Sequence, residues 1–324
     1  MKNTLREISE IGIDFLIDVL HTPRRIKSAK KAKKDILVQA EIAEKLDNYI
    51  ADFLSGGIEQ FSGIPKKPEL IDKKIIWQFW YQGIDENIPK VVKACFNSVK
   101  THSNGYEIIM LSKENMNDYI ELPDFVWKRL NTGGYDITKL SNLVRLYLLS
   151  AYGGVWLDAT IYLTKPIEES LLQKDFFAFQ RSKTLPLDAN IYIKYDPLYF
   201  SWSPAIQVRM LNSFMIAKPH NKIISDLLSI LLEYWKKEEQ TGHYFFFQIC
   251  FNRMIQQDEW KNLNCEIIGD TDCHRFLIAG FNRFNRTLYD KTTARMNIHK
   301  LTLYWARKKI FDSSFAGFII NGKV

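Results

Sequence analysis

Between residues 137 and 166 the chain reads ITKLSNLVRLYLLSAYGGVWLDATIYLTKP, and this stretch admits few folds. Its first half has the helical period, with Leu140, Val144, Tyr147, Leu148 and Ala151 recurring at spacings of three and four. Asn142, Arg145 and Leu149 occupy another face of the same helix, so an amide and a guanidinium project together from an apolar element. Gly153 and Gly154 end the helix, because glycine takes the left-handed cap conformation at no steric cost. Val155-Trp156-Leu157 then reads as a strand that stops at Asp158. Continued as a strand, it places Asp158, Thr160 and Tyr162 on one face and Leu157 and Ile161 on the other. A helix thus delivers a cation and a strand end delivers a carboxylate to one neighbourhood. That layout suits a charged ligand held at the end of a sheet strand.

The rest of the chain is organised around this stretch. Residues 73–80, KKIIWQFW, read as a first strand, followed by a loop from Gly83 to Pro89 and a helix over 89–100. Residues 106–111 read as a second strand, 176–179 as another, 212–217 as a short one and 220–235 as an amphipathic helix. Alternating strands and helices imply an α/β fold with a mostly parallel sheet covered by helices on both faces. Gly56-Gly57 and the prolines at 65 and 68 mark a boundary, giving a helical extension over 1–68 and an α/β domain over 69–324. Within the extension, Leu5, Ile8, Ile11, Phe15 and Val19 form one apolar stripe; Ile36, Ala40, Ile42, Leu46, Ile50 and Phe53 form a second.

Charge separates the extension from the remainder. Arg24, Arg25, Lys27, Lys30, Lys31, Lys33 and Lys34 form a run without an acid, and these seven cations account for the whole net charge of +7. So local an excess is unlike a nucleic-acid-binding surface, and no nucleic-acid partner is expected. Clustered cations beside amphipathic helices fit an anionic membrane surface, each contributing about 1 kcal/mol near the headgroups. A solvated helix face is the alternative. The four cysteines are scattered, no cleavable leader is evident, and no apolar run reaches the roughly 18 residues a spanning helix needs. The expected location is the cytoplasm, peripheral on the inner face of the plasma membrane.

The run SNLVRLYLLSAYGGVWLDAT resembles the central motif of the capsular polysaccharide synthesis glycosyltransferases, relatives of glycosyltransferase family 32. It is more distantly similar to the sugar-binding segment of the large clostridial toxin glucosyltransferases. The matching residues are Ser141, Asn142, Arg145, Gly153, Gly154, Trp156, Asp158 and Thr160. The resemblance implies a GT-A-like, Rossmann-like nucleotide-sugar-binding fold. It also implies transfer of a hexose, galactose or glucose, from a UDP-sugar to an oligosaccharide acceptor that is lipid-linked, with retention of configuration. In this scheme Asp158 orients the diphosphate through a divalent metal, Mn²⁺ or Mg²⁺. Arg145 contacts donor sugar or phosphate, and Asn142 binds sugar hydroxyls. Further residues come by the same resemblance: Trp77 and Gln78 beside the nucleotide, Asn212 near the donor sugar, His243 on the acceptor side, and Lys300, then His299, over the leaving diphosphate. Trp80 is expected in the core.

Two positions depart from the family pattern. Asn142 stands where relatives commonly carry an Asp, and Thr160 where the Asp-x-Asp version has its second carboxylate, Asp-Ala-Thr being common in the capsular branch. A single carboxylate anchors a divalent cation poorly without further oxygen ligands. Two other functions therefore stay open: a non-catalytic glycan- or membrane-binding descendant of a transferase, and another nucleotide-dependent transferase. The second lacks a glycine-rich phosphate loop of the Gly-x-x-x-x-Gly-Lys-Ser kind.

Overall fold

The alternation after residue 70 builds seven strands: β1 (Ile75–Phe79), β2 (Glu107–Leu111), β3 (Gly154–Leu157), β4 (Ile161–Leu163), β5 (Phe176–Gln180), β6 (Met210–Ala217) and β7 (Ile298–Lys300). A computed structural model describes residues 23–323 of the chain. Five strands form one sheet in the order β2-β1-β3-β6-β5. β1 runs parallel to both β2 and β3, whereas β6 is antiparallel to β3 and to β5. Four strands therefore share a direction and β6 is reversed, which is the mostly parallel sheet that the alternation of strands and helices implied. Every residue of β1 and of β5 is buried, as their near-continuous apolar runs require of strands covered on both faces.

The five longest described helices are α1 (Pro23–Leu54), α2 (Lys90–Thr101), α3 (Ile137–Ala151), α4 (Lys222–Lys237) and α5 (Phe246–Met254). The Asp136 carboxylate caps α3 by accepting the Lys139 N–H at 2.9 Å. Beyond its end, Gly153 and Gly154 have φ of +72° and +99°. A Cβ on Gly153 would lie 2.6 Å from Pro219 Cδ, and one on Gly154 only 2.7 Å from the Ile75 carbonyl oxygen. The Gly-Gly pair thus seats β3 against β1 with no room for a side chain.

The N-terminal region differs from its sequence reading. The basic run and the second apolar stripe are one 32-residue helix, α1, since neither glycine nor proline interrupts the chain between Pro23 and Gly56. The stripe from Leu5 to Val19 lies outside the described residues. Ile42, Leu46, Ile50 and Phe53 of α1 enter the same core as Trp77, Trp156 and the apolar face of α3. Polar ties add register: Arg253 forks onto Asp47 at 2.8 and 2.6 Å, and Tyr49 donates to Glu238 at 2.9 Å. Among the described residues, no helix is long and apolar enough to cross a membrane.

A second difference lies at the centre. β3 stops at Leu157, and Asp158–Thr160 is a turn closed by the Ile161 N–H donating to the Asp158 carbonyl at 2.9 Å. The chain then leaves the main sheet, and β4 pairs antiparallel with β7 in a two-stranded ribbon. Asp158, Thr160 and Tyr162 accordingly do not line one strand face. The ribbon has its own consequence, because it sets Lys300 opposite Ile161 and beside Thr160.

Candidate active site

Arg145 projects from α3 into the end of the sheet and is 2 % exposed. One terminal nitrogen donates to Asp158 Oδ1 at 2.8 Å and the other to the Asn212 carbonyl at 2.8 Å. Its guanidinium sits over the Trp156 and Phe247 rings, 5.1 and 5.5 Å from their centroids. The Trp156 indole N–H donates to the same Asp158 oxygen at 2.7 Å. Lys300 completes the cluster: its ammonium donates to Thr160 Oγ1 and lies 3.9 Å from Asp158 Oδ2. The Asp158 and Lys300 side chains are 24 % and 23 % exposed, enough for a ligand to reach both.

Electrostatics follow from this packing. Burial alone pushes the Asp158 carboxyl up, but the charges of Arg145 and Lys300 and the Trp156 N–H outweigh it and hold the group below the ordinary carboxylate range. Burial draws Lys300 below an ordinary lysine, with Asp158 opposing. Beside the charges lies a chain of amides. Asn212 donates to Asn142 Oδ1 at 3.2 Å, and Gln248 donates to Asn212 Oδ1 at 3.2 Å.

These groups line one cleft of about 540 Å³. Six of the ten sequence candidates meet there: Asn142, Arg145, Asp158, Thr160, Asn212 and Lys300. Four do not. Trp77 is fully buried in the core with its indole N–H on the Gly153 carbonyl, so it cannot stack on a ligand. Gln78 faces a separate pocket of about 470 Å³ between α2 and β2, its buried amide unpartnered among the described residues. His243 is turned toward α1, 3.3 Å from Asp35, and accepts the Phe245 N–H. His299 is buried against Phe276 and pushed down to about 3 by that burial, so it stays neutral and away from the cleft.

The cleft also holds residues that the sequence reading missed. Trp80, expected in the core, lines it with Tyr81 at the end of β1. Tyr195, Asp196, Tyr199 and Phe200 form a wall. The one available signal was the density of aromatics between Pro186 and Pro204. That wall is anchored from behind by Arg181, which donates twice to Asp270 at 2.7 Å and lies 5.2–5.4 Å from the Tyr199, Phe200 and Trp202 ring centroids. His274 joins it, pushed down to about 4 by burial, with Nδ1 on the Asp270 carbonyl at 2.7 Å.

The cluster does not fit a bound divalent metal. Asp158 Oδ1 already accepts two donors, Oδ2 faces an ammonium, and the Thr160 hydroxyl is bonded to that same ammonium. Among the described residues, no three His, Cys, Asp or Glu side chains converge with metal-binding geometry.

The sequence profile described as "Capsular polysaccharide synthesis protein" matches residues 25–317. The chain belongs to this family. Among curated proteins, the chain is 26% identical over 178 residues to the O-glycosyltransferase braB of Annulohypoxylon truncatum, covering 52% of this chain and 39% of that protein. It is 29% identical over 105 residues to the glycosyltransferase afumC of Aspergillus fumigatus, covering 30% of this chain and 27% of that protein. Both alignments span well under half of those relatives. Among solved structures, the PaToxG glycosyltransferase superposes with a TM-score of 0.38 and 13% identity, covering 71% of this chain and 83% of that one.

Proposed function

We propose that this capsular polysaccharide synthesis protein is a hexosyltransferase. It moves galactose or glucose from a UDP-sugar to an oligosaccharide acceptor, with retention, in the assembly of capsular or other cell-surface polysaccharide. The observation that carries the reading is the convergence of Arg145 and Lys300 on Asp158 at the floor of the cleft. Two cations against one carboxylate leave a local positive excess, which suits a diphosphate. When the anomeric C–O bond breaks, its electron pair stays on the departing diphosphate, and fixed cations compensate that charge without reorganising. The linked Asn142–Asn212–Gln248 amides supply donors and acceptors for sugar hydroxyls. The aromatic platform at the end of the first strand falls to Trp80 and Tyr81 in place of Trp77. Both curated relatives are named as glycosyltransferases, which agrees with this reading.

A donor screen tests it. UDP-, GDP- and CMP-sugars are compared by thermal shift and by hydrolysis; a UDP-sugar at a hundred times its Kd stabilises the fold by about 2.7 kcal/mol. Anomeric proton spectra of the product then report retention or inversion. If no nucleotide sugar shifts the melting temperature or is turned over, the proposal falls.

The acceptor is lipid-linked in this reading, and the enzyme works at the cytoplasmic face of an anionic membrane. Lys31, Lys33 and Lys34 are exposed on α1. Replacing Lys30, Lys31, Lys33 and Lys34 with Gln is expected to abolish sedimentation with acidic vesicles while sparing transfer to a soluble acceptor. Vesicle binding that survives the four substitutions, or that ignores added salt, assigns the run to a solvated helix face.

A further inference from the structure

The Lys300 ammonium occupies a particular place: it lies between the two oxygen-bearing side chains of the Asp158-Ala159-Thr160 turn. A divalent cation held by this turn would have to draw on the Asp158 and Thr160 oxygens that already face this ammonium. The position of Lys300 is fixed by backbone pairing. β7 puts it opposite Ile161, and the next residue, Leu301, donates its N–H to the Thr160 carbonyl at 2.8 Å. Leu301 is itself buried, so the strand cannot slide. Arg145 is held just as firmly from the other side by Asp158 and the Asn212 carbonyl. A divalent cation entering here would face two fixed positive charges across one shared carboxylate. A diphosphate entering here meets two cations already in position.

We propose that this cleft binds the nucleoside diphosphate of its donor without a divalent cation, with the Lys300 ammonium standing where the metal would stand and Arg145 sharing the charge. The inference rests on the transferase reading of the cleft and replaces its expected metal with a residue of the chain. Thr160 then has a defined job. Its hydroxyl accepts from Lys300 and adds no negative charge, whereas a second carboxylate would cancel the excess that the diphosphate needs.

The test is calorimetric titration of the full chain with UDP and with uridine, after chelation and again with Mn²⁺ or Mg²⁺ added. UDP affinity in excess EDTA is expected to lie within about threefold of that with metal, a difference of well under one decade. Lys300→Met keeps the aliphatic stem and removes the charge. It is expected to weaken UDP by about tenfold or more, the range of a hydrogen bond to a charged group, and to leave uridine unchanged. Lys300→Arg restores the charge and is expected to recover UDP binding in EDTA. UDP binding that appears only with metal overturns the inference and leaves the transferase reading standing. Equal losses of UDP and uridine in Lys300→Met overturn it too, since they mark a structural role. If neither nucleoside diphosphates nor nucleotide sugars bind under any condition, the transferase reading fails and the inference fails with it.

Discussion

Asp158 is tied to both cations of the cleft, and this alters what its loss should do. Removing the carboxylate strips a buried guanidinium of its charge partner, a change that costs about 3 kcal/mol or more at a well-buried pair. Asp158→Ala is therefore expected to lose nearly all transfer and also to shift the urea midpoint downward. Asp158→Asn, which can still accept from Arg145 and Trp156, should fold more stably yet transfer as poorly; donor hydrolysis and urea titration separate the two effects. Arg145→Lys is expected to cut turnover by roughly one to two decades, because a single ammonium cannot hold Asp158 and the Asn212 carbonyl with a planar fork. Unchanged donor affinity and turnover in that variant would make Arg145 a structural ion-pair residue. Asn142, Arg145 and Asp158 were legible in the sequence because short-range geometry places them: one helical face, a glycine stop and a strand end. Lys300 was placed ahead of His299 without a structural signal, since adjacent strand residues face opposite sides and the sequence carries no sign of which side is the cleft. Trp77 and Trp80 were exchanged for a similar reason: Trp77 is the central residue of β1 and Trp80 follows its last residue, an odd offset that reverses the face. His243 pairs with a residue 208 positions away, which no local pattern reports.

The elements that carry these residues are held by two unequal devices. The Gly-Gly stop was readable, and the structure shows why alanine is excluded there. Gly154→Ala would force a Cβ onto the Ile75 carbonyl at a φ of +99°, separating β3 from β1. A loss of about 2–4 kcal/mol is expected, combining positive-φ strain with a backbone clash, and it should appear in thermal melts along with lost donor binding. A variant as stable as the parent would mean that β3 can shift without disturbing the sheet. The β4–β7 ribbon was not readable, because two three-residue strands joined across more than 130 residues have no periodicity to detect. Helix α1 is intermediate. Its apolar stripe was evident, but burial into the main core was not, since a stripe does not name the surface it packs on. Leu46, fully buried in that core, gives the check: Leu46→Ala should cost about 2–5 kcal/mol, whereas an extension merely resting on the domain would unfold separately and leave the main transition unmoved.

The molecule as a whole also carries a pH dependence that its composition does not announce. His274 and His299 are buried, and burial pushes them down to about 4 and about 3 respectively from the usual 6.5. In the unfolded chain both take up protons as pH falls through 6.5, while the folded protein leaves them neutral. Stability is thus fully present above the unfolded value and is lost as pH falls toward the folded ones. Two imidazoles that stay neutral only when folded give a slope of about 2.7 kcal/mol per pH unit once the unfolded pair is protonated, at 1.36 kcal/mol per proton. Asp158 and Asp270 are held below the ordinary carboxylate range, so their contribution is lost only at still lower pH. The urea midpoint is therefore expected to fall steeply between about pH 6 and pH 4.5, well before carboxylate protonation dominates. His299→Gln isolates one share of this slope, because His299 lies outside the cleft, stacks on Phe276 and shares its Nε2 with Thr164. That variant should lose stability at neutral pH through the lost stacking but show a shallower slope, reduced by about 1.4 kcal/mol per pH unit. An identical slope in parent and variant would mean that His299 is protonated in the folded protein, and the neutral, buried ring described here would be wrong.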